Sequence, residues 1–393
     1  MQRSTDLLAG LLQGIDRELP AAITLRERLH AHPELSHSEE WTAATISEAL
    51  PVDTQTLART GRLAVIGAGA DSPGGVVVRA ELDGLPVPER TGVHFQATGG
   101  AMHACGHDVH MAALVALARA AHPLAGDLPA PLLALFQPSE EDFPSGAQEL
   151  AEGELAALSP AALVAAHLHP EVPWGSIAID AGVVNASCDA FSITIHGEQA
   201  HSAYPHLGRD PILALSEIIL SLNSQLARRI DPLHPATLTV TLIEGGVADN
   251  VIPSLARARG TLRAYTPEDR ETLTEMARQV VSAVAGAHGC RGTLELTLGE
   301  PPLDNDPAIV SLARSLSPAA GLTPAGAFRS CGSDDFSFFT PLAPLAMAFV
   351  GLAGAEGFLS RPLHHPEFLP PAAAVGAVAR AQAVLYISAA SQL

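Results

Sequence analysis

Cys105 and His107 stand two positions apart in the run AMHACGHDVHM (residues 101–111), just before an apolar helical pattern opens at Asp108. A thiolate and an imidazole on the loop that feeds a helix form a soft ligand pair for zinc or a similar first-row ion. His103 and His110 crowd the same loop. A histidine-rich surface loop is the plainer reading, and one Cys-x-His pair does not decide between the two. Further along, Glu140 and Glu141 follow an apolar run. Neighbouring side chains of an extended chain point in different directions, so one carboxylate can bind an ion while the other faces a bound water. That division suits metal-assisted hydrolysis: the ion lowers the pKa of the water and the second carboxylate carries the proton. The same pair with Asp142 would equally favour the positive end of a helix. His167, with His169 as its competitor, follows ALVAA (162–166), and His364 and His365 share the loop PLHHP (362–366).

The elements that must position these residues are short apolar strands. GVVVRAEL (75–82) leads into Asp83, PLLALF (131–136) into Glu140-Glu141, and ALVAA into His167. Continuous apolar runs are buried on both faces. With helices between them (Trp41 to Leu50, and 108–121), they predict an α/β sheet whose site lies at the carboxyl ends of the strands. LAVIGAG (63–69) is a further strand, and helical spacing over 5–30 predicts a first helix that Pro20 breaks or kinks. From about 187 the pattern becomes strict alternation, in AFSITIHG (190–197), TLTVTLI (237–243), RARGTLRAY (257–265) and GTLELTL (292–298). Helices 211–229, capped by Asp210-Pro211, and 266–286, opened by Thr266-Pro267-Glu268-Asp269, lie among them. The order βαββαβ is ferredoxin-like. After 300 the chain returns to mixed character with helix 306–317, strand LAMAFVG (345–351) and a final helix 372–389. The expected architecture is α/β: a catalytic domain of 1–183 and 299–393, with a central mostly parallel sheet flanked by helices, and an inserted α+β lid or dimerisation domain of 184–298.

Composition bounds the partners. A chain of 393 residues with 47% apolar and 16% charged content is globular and long enough for two cores. A formal charge of -20 repels polyanions and excludes nucleic acid as a partner. Four cysteines at irregular spacing do not form a disulfide framework and fit a reducing, cytoplasmic setting. The amino terminus lacks a continuous hydrophobic region with a cleavage site, and no apolar run is expected to reach the ~18 residues of a membrane span.

Taken together, the motifs resemble the metal-dependent amidohydrolases that include hippurate hydrolases, N-acyl-amino-acid aminoacylases and indole-acetyl-amino-acid hydrolases, in a wider clan with the glutamate carboxypeptidases. The likeness runs through LHAHPELSHSE (29–39), RAELDGLPV (79–87), MHACGHDVH (102–110), FQPSEE (136–141), AHLHP (166–170), HSAYPHLGRDPI (201–212), GGVADNVIP (245–253) with GTLR (260–263), GSDDF (332–336) and LHHPEF (363–368). It implies a two-metal centre, zinc or manganese, with Cys105, His107, Glu141, His167 and His364 as ligands. Glu140 aligns with the general acid/base and Asp83 with a carboxylate that orients a ligand. His201 aligns with an oxyanion-stabilising histidine, and Asn250 and Arg263 with residues that hold the substrate. The implied reaction is hydrolysis of the amide of an N-acyl amino acid, by a homodimer or larger homo-oligomer. A dipeptidase or carboxypeptidase of the same clan, a metal-binding scaffold without activity, and a cysteine hydrolase built on Cys105 are the rival readings. The chain departs from the resembled pattern at Glu81, where an Asp is usual, and at Asp142-Phe143-Pro144-Ser145, where glycines are usual; Ser202 and Tyr204 also differ.

Overall fold

The computed structural model describes residues 2–67 and 74–393. Contacts divide it into two compact units, each with its own apolar core: Met1–Gly182 with Asp304–Phe328 and Phe338–Leu393, and Val183–Leu303 with Arg329–Ser337.

The first unit opens with α1 (Gln2–His30), which runs unbroken through Pro20. The expected break does not occur. Leu8, Leu11, Ile15 and Leu29 are buried along one face, which packs on helices introduced below, and that tertiary burial outweighs the lost hydrogen bond and the ring clash of an interior proline. Then come α2 (Glu40–Ala49) and the antiparallel pair β1 (Thr54–Leu57) and β2 (Gly61–Ile66); Ala68 and Gly69, expected at the end of this run, lie outside the described residues. β3 (Val76–Glu81), α3 (His107–Ala121) and β4 (Leu132–Gln137) follow, both strands buried along their whole length. Two short helices, α4 (Gly146–Glu152) and α5 (Glu154–Ala157), lead to β5 (Ala162–Pro173) and β6 (Ser176–Ala178).

In the second unit, after β7 (Gly182–Asn185), come β8 (Asp189–His196), the two-residue β9 (Ala200–His201), α6 (Pro211–Arg229), β10 (Ala236–Gly245), β11 (Val251–Ile252), β12 (Leu255–Ala264), α7 (Pro267–Ala287) and β13 (Arg291–Thr297). The sheet order β10-β12-β8-β13, all antiparallel, is the ferredoxin-like arrangement. Asp210 caps α6 by accepting from Ile212 and Leu213 amides, and Thr266 caps α7 by accepting from Asp269. The segment 329–337 joins this unit, beyond the expected 184–298, because Ser330 exchanges backbone hydrogen bonds with Val184 and Ala186.

The chain then completes the first unit with β14 (Leu303–Asn305), α8 (Pro307–Leu316), β15 (Thr323–Pro324), β16 (Leu345–Ala353) and α9 (Ala373–Ala390). Its eight-stranded sheet runs β1-β2-β4-β3-β5-β16-β6-β15. The central β4-β3-β5-β16 is parallel; β1-β2, β2-β4 and β16-β6 are antiparallel, and the edge strand β15 pairs with β6 in parallel. This is the expected fold class. β5 extends to Pro173 and does not stop at 166, because β16 pairs with it from Leu163 to Pro173. Gly351 permits that approach: a Cβ there would stand 1.9 Å from the Pro173 carbonyl oxygen. α9 corrects another expectation. It is long and apolar enough to cross a membrane by length and composition, yet most of it is buried, against α1, α3 and β5.

Candidate metal centre

The carboxyl ends of β3 and β4, the interior of β5, the start of α3 and the loop after β16 meet in the first unit. His107 is the first residue of α3, and the preceding Gly106 has φ 92, a left-handed conformation that glycine adopts without strain. His107 Nδ1 donates to the Asp83 carbonyl oxygen at 2.8 Å and lies 3.6 Å from Asp83 Oδ1, which leaves Nε2 directed at Glu140 Oε2 and Glu141 Oε1, each 3.9 Å away. Asp83 Oδ2 accepts from Ser36 Oγ (2.7 Å) and from the Glu141 amide (2.9 Å). Cys105 Sγ and His167 Nε2 are 3.4 Å apart, and His167 is fixed through Nδ1 by the Leu168 carbonyl at 2.7 Å. His364 Nε2 lies 3.5 Å from Glu141 Oε1. His364 has φ 65, an uncommon conformation for a side-chain-bearing residue, and its amide donates to the Ala104 carbonyl at 2.9 Å. That bond ties the 364 loop to the Cys105 loop.

The donor atoms of Cys105, Glu141 and His364 lie within 4.8 Å of one another, as do those of His107, Glu140 and Glu141. The two open pairs separate geometrically. His169 packs against Phe328, ring centroids 4.4 Å apart and planes tilted by 59°, and His365 Nδ1 accepts from the Glu367 amide at 3.0 Å. Neither His169 nor His365 belongs to such a donor group; His364 lies with Cys105 and Glu141, and His167 with His107, His110 and Glu81 in a further group within the same spacing.

A divalent ion fits this donor set. His107 Nε2 is buried with no hydrogen-bond partner, which costs about 1–3 kcal/mol unless something binds it. Burial opposes charge on His107, yet Glu81, Asp83 and Glu141 hold its pKa up at about 10. The pocket is thus negative enough to trap a proton where a metal cation would sit. Burial, with the neighbouring His110 and His107, pushes His167 well below its usual value, so it presents a neutral nitrogen. Thiolate, imidazole and carboxylate together form a donor set for a divalent metal ion.

Glu81 lies beside His107 and His167, the donor atoms of the three and of His110 within 4.8 Å of one another. It pairs with Arg79 and accepts from His110 Nδ1 at 2.8 Å, while His110 Nε2 accepts from the Leu168 amide at 3.0 Å. That amide fixes the tautomer of His110 and occupies its second nitrogen. Burial works against the Glu81 charge, but Arg79, His110 and His107 hold its carboxyl well below the ordinary range.

His201, Asn250 and Arg263 belong to the second unit. His201, on β9, pairs with Val251 of β11, and the Asn250 carbonyl accepts from the Ser202 amide at 2.9 Å, so the two sit side by side on one ribbon. Arg263, on β12, donates to the Cys331 carbonyl at 2.8 Å.

Residues 77–386 match the description Peptidase family M20/M25/M40. The chain belongs to this family. It is therefore a member of a family of metal-dependent amidohydrolases, enzymes acting on linear amides. Among family relatives, an N-acetyl-L-cysteine deacetylase of Bacillus subtilis is 33% identical over 88% of this chain and 82% of its own length. An N-acetyldiaminopimelate deacetylase of Bacillus pumilus is 31% identical over 90% of this chain and 94% of its own. A solved Bacillus subtilis structure, described as a dinuclear metal binding peptidase of the family, superposes with a TM-score of 0.84 at 28% identity, covering 96% of this chain and 100% of that one. A putative aminohydrolase from methicillin resistant Staphylococcus aureus gives a TM-score of 0.88 at 26% identity, covering 96% and 98%.

Two contributors escape the motif reading. His110 looked like one more histidine of a crowded loop, and only the Leu168 amide distinguishes it. Glu39, fully buried, accepts from Ser139 N at 2.9 Å across a hundred residues. LSHSE (35–39) lay inside a matched motif, and no spacing within it signals such a partner.

Proposed function

We propose that this chain hydrolyses the amide bond of N-acyl amino acids to a carboxylic acid and a free amino acid. The observation that carries the reading is the pair of adjacent glutamates. Both carboxylates approach His107 at 3.9 Å, and Glu141 also approaches His364 at 3.5 Å, which supports reading Glu141 as a ligand and Glu140 as the group that handles protons. The names of the Bacillus relatives, each for deacetylation of an acetylated amino acid, support the substrate class.

Two divalent ions, zinc or manganese, held by Cys105, His107, Glu141, His167 and His364, supply when bound an acidified water and positive charge against the developing oxyanion. Glu140 takes the proton of the attacking water and delivers it to the departing amine nitrogen. Asp83 holds His107 in one tautomer through its carbonyl, and through its carboxylate fixes the Glu141 backbone. To His201 we assign stabilisation of the tetrahedral oxyanion, and to Asn250 and Arg263 the carboxylate of the amino-acid half. The protein is proposed to work in the cytoplasm, where the absence of any disulfide among its four cysteines is at home, and as a homodimer.

The test is a hydrolysis panel of N-acetyl, N-benzoyl and longer N-acyl amino acids beside dipeptides, with zinc or manganese added back to apo-protein. The expected result is turnover of N-acyl amino acids that depends on added metal. Cleavage of dipeptides alone would replace the reading with a dipeptidase. Turnover that survives chelation and is lost on thiol alkylation would replace it with a cysteine hydrolase.

A further inference from the structure

Glu140 is flanked by two backbone anchors, and both lead to the same distant turn. On its amino side, Ser139 has φ 51, in the left-handed region that costs a non-glycine residue about 1 kcal/mol or more. The conformation persists because every polar group of Ser139 is engaged. Its amide donates to Glu39 Oε1 at 2.9 Å, its carbonyl accepts from the Gly146 amide at 2.9 Å, and its hydroxyl accepts from the His37 amide at 2.9 Å while lying 3.2 Å from Glu39 Oε1. His37 Nδ1 reaches the same hydroxyl at 3.0 Å. Glu39 is itself fixed: Oε1 accepts from the His37 amide (3.1 Å) and Oε2 from Thr60 Oγ1 (2.8 Å). On the carboxyl side of Glu140, the Glu141 amide donates to Asp83 Oδ2, which Ser36 Oγ holds at 2.7 Å.

Ser36, His37 and Glu39 thus reach both neighbours of one glutamate. A side chain with only its own torsions to set, on a backbone held at each end, has a narrow range of aim, and acid/base efficiency falls steeply with sub-ångström misplacement. We propose that the turn Ser36–Glu39 is a positioning element that sets the aim of Glu140, acting through Ser139 and Asp83. The inference rests on Glu140 being the proton carrier. It assigns work to the stretch LSHSE, whose part in the resembled pattern carried no role.

The experiment is a double-mutant cycle on metal-loaded enzyme, with bound metal and KM measured beside kcat. Ser139→Gly loses the hydroxyl and frees the backbone; Glu39→Gln replaces an acceptor with a donor facing other donors. Each is expected to lower kcat about tenfold to a hundredfold, with KM and metal content unchanged. In a Glu140→Gln background, neither is expected to lower the residual rate further, because the group being aimed is gone. An equal loss in both backgrounds, or a loss explained by metal content, would overturn the positioning role and leave Glu140 as proton carrier. Full activity in Glu140→Gln alone would overturn the proton-carrier reading, and the positioning role with it. If Glu39→Gln does not fold, Ser139→Gly, which relieves backbone strain, carries both measurements.

Discussion

Glu140 and Glu141 each come within 3.9 Å of His107 Nε2, but their settings differ. The Glu141 amide is held by Asp83 and its carboxylate faces His364, whereas Glu140 follows the strained Ser139. Replacement of Glu140 by Gln keeps the shape and removes the proton acceptor. It should retain bound metal, measured by elemental analysis, while turnover falls at least about a thousandfold, the order expected for a lost acid/base. Near-normal turnover would take Glu140 out of the mechanism. Much at this scale was legible, because Cys105-x-His107 and the adjacent glutamates are local spacings. His110 and Glu39 were not, since their partners Leu168 and Ser139 are brought to them only by the fold.

Among the elements, α1 ties the site's surroundings together by a buried ionic network. Arg26 Nε and His30 Nδ1 both donate to Asp108 Oδ2, at 2.6 and 2.9 Å; His30 Nε2 reaches Glu89 at 3.0 Å, and Arg26 Nη2 reaches the Pro370 carbonyl at 3.2 Å. Burial alone would lower the His30 pKa, but Asp108 and Glu89 raise it to about 9. A group whose folded pKa exceeds its unfolded value of about 6.5 stabilises fully below that pH, and the contribution fades as pH rises through 9. Thermal or urea unfolding of the protein should therefore weaken between about pH 6.5 and 9, by on the order of a few kcal/mol, and His30→Gln should flatten that slope. An unchanged slope would mean His30 is not the titrating group. Periodicity read the helices and alternating strands well, since burial repeats with the backbone. It failed at Pro20 and at the end of β5, where neighbours packed from elsewhere (α3, α9 and β16) decide the outcome.

For the molecule as a whole, the proposed homodimer has a physical basis in the second unit. β10 is the edge of its four-stranded sheet, and Leu242 and Ile243 on it are exposed, as are Leu213 and Leu220 of α6. An exposed apolar edge strand is a template for a second copy. Sedimentation should give a dimer for the native chain and a monomer for Ile243→Glu at the same concentration, with the melting of the first unit retained. A monomeric native chain would remove the dimer.

The buried sequence of contacts from Gln137 through Arg79, Glu81 and His110 to Leu168 crosses three strands of the first sheet. Loss of any one link strands a charge or a proton donor where water cannot answer it. In the history of such a lineage these positions should drift as a set, a substitution at Glu81 surviving only beside a compensating change at Arg79 or His110.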